Sequence, residues 1–144
     1  MILDNTAIFS DAQAITATAR STNIIDLKAA GVPYGASAAV GADIGKGGCG
    51  IALDVRVVED FNNLTSLQVS VEVDDNTSTS SPTVVAMGPA VPLATLKAGY
   101  QFPFPAELME GVNEQYVNLR YTVVGTAPTT GKITAAVVAA RQQQ

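Results

Sequence analysis

Ser66-Leu-Gln-Val-Ser-Val-Glu-Val73 is the stretch that decides the fold class. Leu67, Val69, Val71 and Val73 alternate with Ser66, Gln68, Ser70 and Glu72, so a strand here turns an apolar face inward and a polar face outward. Tyr116-Val-Asn-Leu-Arg-Tyr-Thr-Val123 repeats the pattern, with Val117, Leu119, Tyr121 and Val123 inside. In Ile51-Ala-Leu-Asp-Val-Arg-Val57, residues 51, 53, 55 and 57 are apolar while Asp54 and Arg56 point the other way. Sustained period-two alternation marks antiparallel strands packed on one face. Lys132-Ile-Thr-Ala-Ala-Val-Val-Ala-Ala140 is apolar on both faces, which predicts a strand covered on both sides or lying at an interface, where it could exchange between subunits.

The connections agree with an all-β reading. Asp74-Asp-Asn-Thr-Ser-Thr-Ser-Ser-Pro82 reads as a polar loop tip pointing to solvent, and Thr126-Ala-Pro-Thr-Thr-Gly131 as a turn between the last two strands. Pro89, Pro92, Pro103 and Pro105 forbid central-strand pairing at their own positions, so residues 83–105 read as short edge strands and extended chain. Residues 106–113 can make one helical turn. Gln13-Ala-Ile-Thr-Ala-Thr-Ala19 and Asn23-Ile-Ile-Asp-Leu27 read as two further strands, and residues 28–50, rich in Gly and Ala, as a long excursion. Turn signals at this spacing predict a β-sandwich or barrel; pattern alone does not choose between a jelly roll and an immunoglobulin-like sandwich, although the latter gains no support from a Cys pair or a Trp.

Composition narrows the function. The 144 residues fit one domain, 1–144, long enough to bury a sizeable core. Hydrophobic residues make up 47% and charged residues only 15%, which points to outer surface that is itself covered, by copies of the chain or by another protein. The net charge of −5 comes without a basic stripe, which argues against nucleic-acid binding. No apolar run approaches a membrane span. The opening residues have neither a basic n-region nor an apolar h-region, so they do not read as a signal peptide. Cys49, the single cysteine, cannot form an intrachain disulfide, and synthesis in a reducing cytoplasm is expected.

The opening also carries a family likeness. Met1-Ile-Leu-Asp4, Phe9-Ser-Asp-Ala-Gln-Ala14 and Ser21-Thr-Asn-Ile-Ile-Asp-Leu27 resemble the start of the capsid cement (decoration) proteins of short-tailed bacteriophages, whose type member comes from a Bordetella phage. A weaker likeness runs on to the C-terminus. The resemblance implies a jelly-roll-like antiparallel β-sandwich with an extended N-terminal segment and a Gly-rich excursion. It also implies a structural role on the outside of a virion made in the host bacterial cytoplasm. The implied partners are the major capsid protein and a second copy, as a homodimer, with a trimer left open by the sequence. Residues 1–12, as an arm, and 28–50 are the expected partner-facing parts, which places Ile2, Leu3, Phe9 and Tyr34 among the candidate partner-binding residues.

Catalytic and ligand chemistry find little to work with. The absence of His removes Ser-His-Asp and Cys-His systems and His-based metal sites, and no residue set assembles an enzyme site, cofactor site or metal site. Gly41-Ala-Asp-Ile-Gly-Lys-Gly47 has the wrong spacing for a phosphate loop and lacks the Ser/Thr after its Lys. Asp74-Asp-Asn76 lacks the ligand spacing of an EF-hand, so a solvated loop tip is the simpler reading. Tyr100, Phe102 and Phe104 alternate along an extended segment; the first reading is that they fill the sandwich core, the second that they form a strip that anchors a partner, and the last that they stack on a sugar. The strip supports an alternative function, a carbohydrate-binding or receptor-binding module of a phage particle.

Overall fold

The structure is a computed structural model that describes residues 5–28, 30–32, 34–38, 40–41, 52–104 and 114–138. In chain order its strands are β1 (Ile8–Ala14), β2 (Ala19–Arg20), β3 (Ile25–Asp26), β4 (Ala30–Gly31), β5 (Val40–Gly41), β6 (Ala52–Glu59), β7 (Leu64–Asp74), β8 (Thr83–Met87), β9 (Val91–Pro92), β10 (Tyr116–Gly125) and β11 (Lys132–Val138). Short 3-10 turns cover Asn5–Ala7 and Leu93–Thr95. A three-stranded antiparallel sheet runs β1-β11-β6. A six-stranded antiparallel sheet runs β2-β10-β7-β8, with β3 also beside β10 and β9 beside β7.

The two stretches with the cleanest alternation pair with each other. β7 and β10 lie antiparallel from Tyr116↔Asp74 to Val124↔Ser66 without a break in register, then shift at Gly125↔Leu64. Their apolar positions, Leu67, Val69, Val71 and Val73 with Val117, Leu119 and Tyr121, face Phe9, Val55, Val57, Ile133 and Ala135 of the smaller sheet in one continuous core. The expected antiparallel β-sandwich is what forms, because each of these strands can bury one face only against another sheet.

Two crossings hold the sheets together at one corner. The β6–β7 and β10–β11 connections both pass from one sheet to the other. Asn62 ties them: its Oδ1 accepts the N–H groups of Thr129 and Thr130 at 2.8 and 3.1 Å, and its Nδ2 donates to Thr129 Oγ1 at 2.7 Å. Gly131 closes the corner at φ +127°, where a Cβ would sit 2.2 Å from the Phe61 ring. Only glycine fits there.

Inside the core, a polar chain crosses from sheet to sheet. The Tyr121 hydroxyl and Ser10 Oγ are 2.7 Å apart, and both residues are fully buried. Ser10 Oγ donates to Gln13 Oε1 at 2.6 Å, so its single proton is committed and the Tyr121 hydroxyl is the donor in their bond. Gln13 Nε2 continues the chain to the Arg20 carbonyl at 2.7 Å. Burial holds the phenol in its neutral form by pushing its pKa well up, against a smaller opposing effect of the Ser10 bond.

Several expectations need correction. Residues 1–12 are not all an arm: Ile8–Ala14 is β1, paired with β11, because Phe9 and Ser10 bury their side chains in the sandwich. The strand expected over 13–19 therefore starts earlier, and residues 16–18, small and exposed, form a bend. The strand expected over 23–27 is the two-residue β3. β11, by contrast, is covered on both faces, as the first of its two readings expects, and its two neighbours belong to the same chain. Ile133 and Ala135 enter the main core, while Ala136 and Val138 pack with Ala52 in a second cluster. The helical turn at 106–113, Cys49 and the glycine loop at 42–50 lie outside the described residues.

The Tyr121–Ser10 bond is open to a double-mutant test in urea. Tyr121→Phe and Ser10→Ala should each destabilise the fold by about 1–3 kcal/mol, because each strands a buried polar partner. The double variant should cost clearly less than the sum. Additive costs would show that the two groups do not interact.

Candidate partner-binding surface

The aromatic strip turns inward. Along residues 99–102 the chain pairs with the outer edge of β6: Gly99 N–H donates to the Val57 carbonyl, Val57 N–H to Tyr100, and Phe102 N–H to Val55, at 2.8–2.9 Å. That pairing drops the Phe102 and Phe104 rings into the core at 1% and 7% exposure, with Tyr100 half-buried against Phe102 in an edge-to-face contact of 5.2 Å. Phe9 is likewise core, at 1%. Phe102 and Phe104 are thus core side chains, as the first reading of the strip expects, and with Phe9 they leave little ring surface for a partner or a sugar, which corrects their place among the partner-binding candidates. Alternation along an extended segment looks the same whether its rings fill a core or line a platform, so the sequence could not separate the two.

Tyr34 is the candidate that the fold does present. β4 and β5 pair as Ala30↔Gly41 and Gly31↔Val40, forming a small hairpin that joins neither large sheet. Its connecting residues include Val32 at 65% exposure and Tyr34, fully exposed. Gly35, at φ +82°, supplies the left-handed backbone the tip requires. Residues 29–42 carry no charge. Part of the Gly-rich excursion is therefore a hairpin that leaves a tyrosine and a valine bare. Ile2 and Leu3 lie outside the described residues.

The polar face of the larger sheet is not simply solvated. Glu72 faces away from the core yet is 3% exposed. Arg120 Nε donates to its Oε1, and Arg20 Nε lies 3.4 Å from its Oε2. Arg20 also donates to the carbonyls of Ser78 and Thr79. The loop after β7 is largely exposed, as expected, but it is tied back to its own sheet at Thr79, which is buried. Sequence reasoning missed this because a Glu on the outer face of a strand reads as solvated, and its two arginine partners are 52 and 48 residues away.

Asp74 pins the same loop. Its Oδ1 accepts the Asn76 N–H at 3.1 Å and its Oδ2 the Ser81 N–H at 3.0 Å. Asn76 Oδ1 in turn accepts the Ser78 N–H at 2.7 Å. These carboxylate and amide oxygens, of the kind that suits a hard cation, accept backbone N–H groups. Burial pushes the Asp74 carboxyl upward, but the N–H donors of Asn76 and Ser81 outweigh it and hold its pKa below the ordinary 3.8. On the smaller sheet, Asp54 is buried with Arg56 Nε at 2.8 Å and Gln101 Nε2 at 2.5 Å. These pairings tie side chains within and between strands.

The sign of the Asp74 shift sets a pH window. A depressed carboxyl pKa contributes stability that is fully present above the unfolded value and lost as pH falls through the folded one. Amide exchange at Asn76 and Ser81 should stay protected down to pH 3.8 and be lost only below it. Loss of protection well above that pH would mean that Asp74 does not hold the loop. A second expectation separates core from surface: Phe102→Ala should cost about 3–5 kcal/mol in urea unfolding, and Tyr34→Ala less than about 0.5 kcal/mol. Equal costs would contradict the placement of the two rings.

A protein-family model described as Bbp16 matches residues 9–137 of the chain. No curated protein matches it.

Proposed function

The chain belongs to the Bbp16 family, a phage protein family, and from that premise we propose that it is a structural virion protein of the phage head exterior. In this reading it binds the outer surface of the head, bridges neighbouring copies of the major capsid protein and stabilises the shell. The observation that carries the proposal is the uncharged hairpin at 30–41, which presents Tyr34 and Val32 to the outside on a body that keeps Phe9, Phe102 and Phe104 in its core. An exposed aromatic beside an exposed aliphatic is the composition of a protein-contact anchor. The sequence resemblance to capsid cement proteins supports the same role, and so does the low charged share of 15%.

The physics of the role is multivalent clamping. A two-fold oligomer offers the same tip twice, so one bridge engages two capsid sites. Once the first tip is seated, the second binds at high effective concentration, and modest single-site affinity becomes firm attachment. A sandwich held at its corner by Asn62 and Gly131 and across its core by Tyr121 and Ser10 supplies the rigidity such a clamp needs.

Cosedimentation with empty expanded heads tests the proposal. The protein should saturate them at a fixed ratio to the major capsid protein, and Tyr34→Ala should weaken binding by about tenfold or more with its melting temperature unchanged. Absence of saturable binding to heads would sink the capsid role. Unchanged binding by the Tyr34 variant would sink the hairpin as its anchor.

A further inference from the structure

One side chain on the outer face of the larger sheet makes none of the bonds that hold its neighbours. Asn118 stands on β10 between Tyr116 and Arg120, on the face turned away from the core, and is fully buried. Neither its Oδ1 nor its Nδ2 has a hydrogen-bond partner among the described residues. The deficit covers both ends of the amide, so turning the group over does not remove it. Buried polar groups are nearly always paired, and one that is paired at neither end needs a cause.

The register supplies the cause. Asn118 lies opposite Glu72, with Arg120 opposite Ser70 on one side along the strand and Tyr116 opposite Asp74 on the other. Arg20 lies opposite Arg120 on β2. Because β10 runs between β2 and β7, Arg20 reaches Glu72 over the outer face of β10, next to Asn118. Both arginines turn their Nε to the Glu72 carboxylate and draw it toward the Arg120 side, away from the amide opposite. A carboxylate favours two guanidinium donors over a neutral amide. The other near groups are committed too. Asp74 accepts the N–H groups of Asn76 and Ser81. On the far side of β10, Ser21 Oγ accepts the Leu119 N–H and donates to the Asn23 carbonyl. Asn118 is thus ringed by polar groups that are turned to other partners.

We propose that Asn118 holds a buried water molecule beside the Arg20–Glu72 ion pair. Water answers both ends of the amide, since one molecule accepts from Nδ2 and donates to Oδ1. Its remaining proton goes to Glu72. Each carboxylate oxygen has two acceptor sites and takes one arginine, so Glu72 has a site to spare. Directly opposite residues of an antiparallel pair have Cβ atoms about 5 Å apart, within the span of a single bridging water. Interior waters make about three such bonds. Charged ligands do not suit the place. A cation on Oδ1 would lie beside two guanidinium groups, and an anion on Nδ2 beside the Glu72 carboxylate. Full burial of Asn118 argues against anything larger. The site is a property of the folded chain and does not depend on head attachment.

Two measurements on the full chain test this. A crystal structure of the unaltered protein should show a water within hydrogen-bond distance of the Asn118 amide and of Glu72. Oxygen-17 relaxation dispersion in solution should then register fewer long-lived waters in the Asn118→Leu variant than in the wild type. Leucine has nearly the volume of asparagine and offers water no bond. An Asn118 amide that meets only protein atoms, or no atom at all, overturns the proposal whether or not the variant folds. Equal dispersion from the two folded proteins also overturns it, and would mark a water seen in the crystal as adventitious only.

Discussion

A phenol hydroxyl placed in the middle of an apolar sandwich must find a partner, and the rest of this structure is arranged around the one that Tyr121 finds. Its ring extends the core face of β10, beside Val117 and Leu119, but its oxygen reaches Ser10 on the opposite sheet. That contact sets the spacing of the sheets at one point and the register of β1 at another. It also explains why a residue as small and polar as Ser10 is wholly buried. An unpaired hydroxyl there would cost more than the net gain of the bond, so the demand for satisfaction constrains the fold more than the bond strengthens it. The chain of bonds continues through Gln13 to the backbone at Arg20, where the core polar line meets the clamp on the outer face.

That clamp covers the part of the larger sheet's outer face that lies around Glu72. Glu72 is shared by Arg20 and Arg120, and Arg20 holds the loop after β7 by two carbonyls. Burying a carboxylate without such partners would be prohibitive, and removing one arginine would leave the charge poorly compensated. The arrangement trades a solvated polar face for a fixed loop. It also accounts for the low exposed charge of the molecule, since part of its small charged complement is turned to internal use.

Much of the fold was legible because period-two alternation survives in single strands. Leu67 through Val73 and Val117 through Tyr121 are buried as their pattern requires, and the loop at 126–131 does join the last two strands. What could not be read was anything that depends on partners distant in sequence. Phe102 and Phe104 enter the core because residues 99–102 pair with β6, and nothing local says so. The N-terminal strand was misplaced because its inward positions include Ser10, a polar residue whose partner Tyr121 is 111 residues away. The reading of surface was harder still. Of the candidate partner residues within the described chain, Tyr34 alone is fully exposed, and its distinguishing signal was a tyrosine in a stretch of small, uncharged residues.

The pairing of β1 with β11 has a consequence in time. Ile8 lies opposite Ala136, so the smaller sheet cannot close until the strand nearest the other end of the sequence has been made and has found its place between β1 and β6. Until then β1 has no ladder, Phe9 has no core to enter, and the Tyr121 hydroxyl has no serine. The loop-closure entropy of so distant a contact is met late, after the β7–β10 ladder can already have formed. During synthesis the chain must therefore hold an apolar half-sandwich open to its surroundings, and the window in which it is vulnerable to wrong partners is set by its last strand rather than its first.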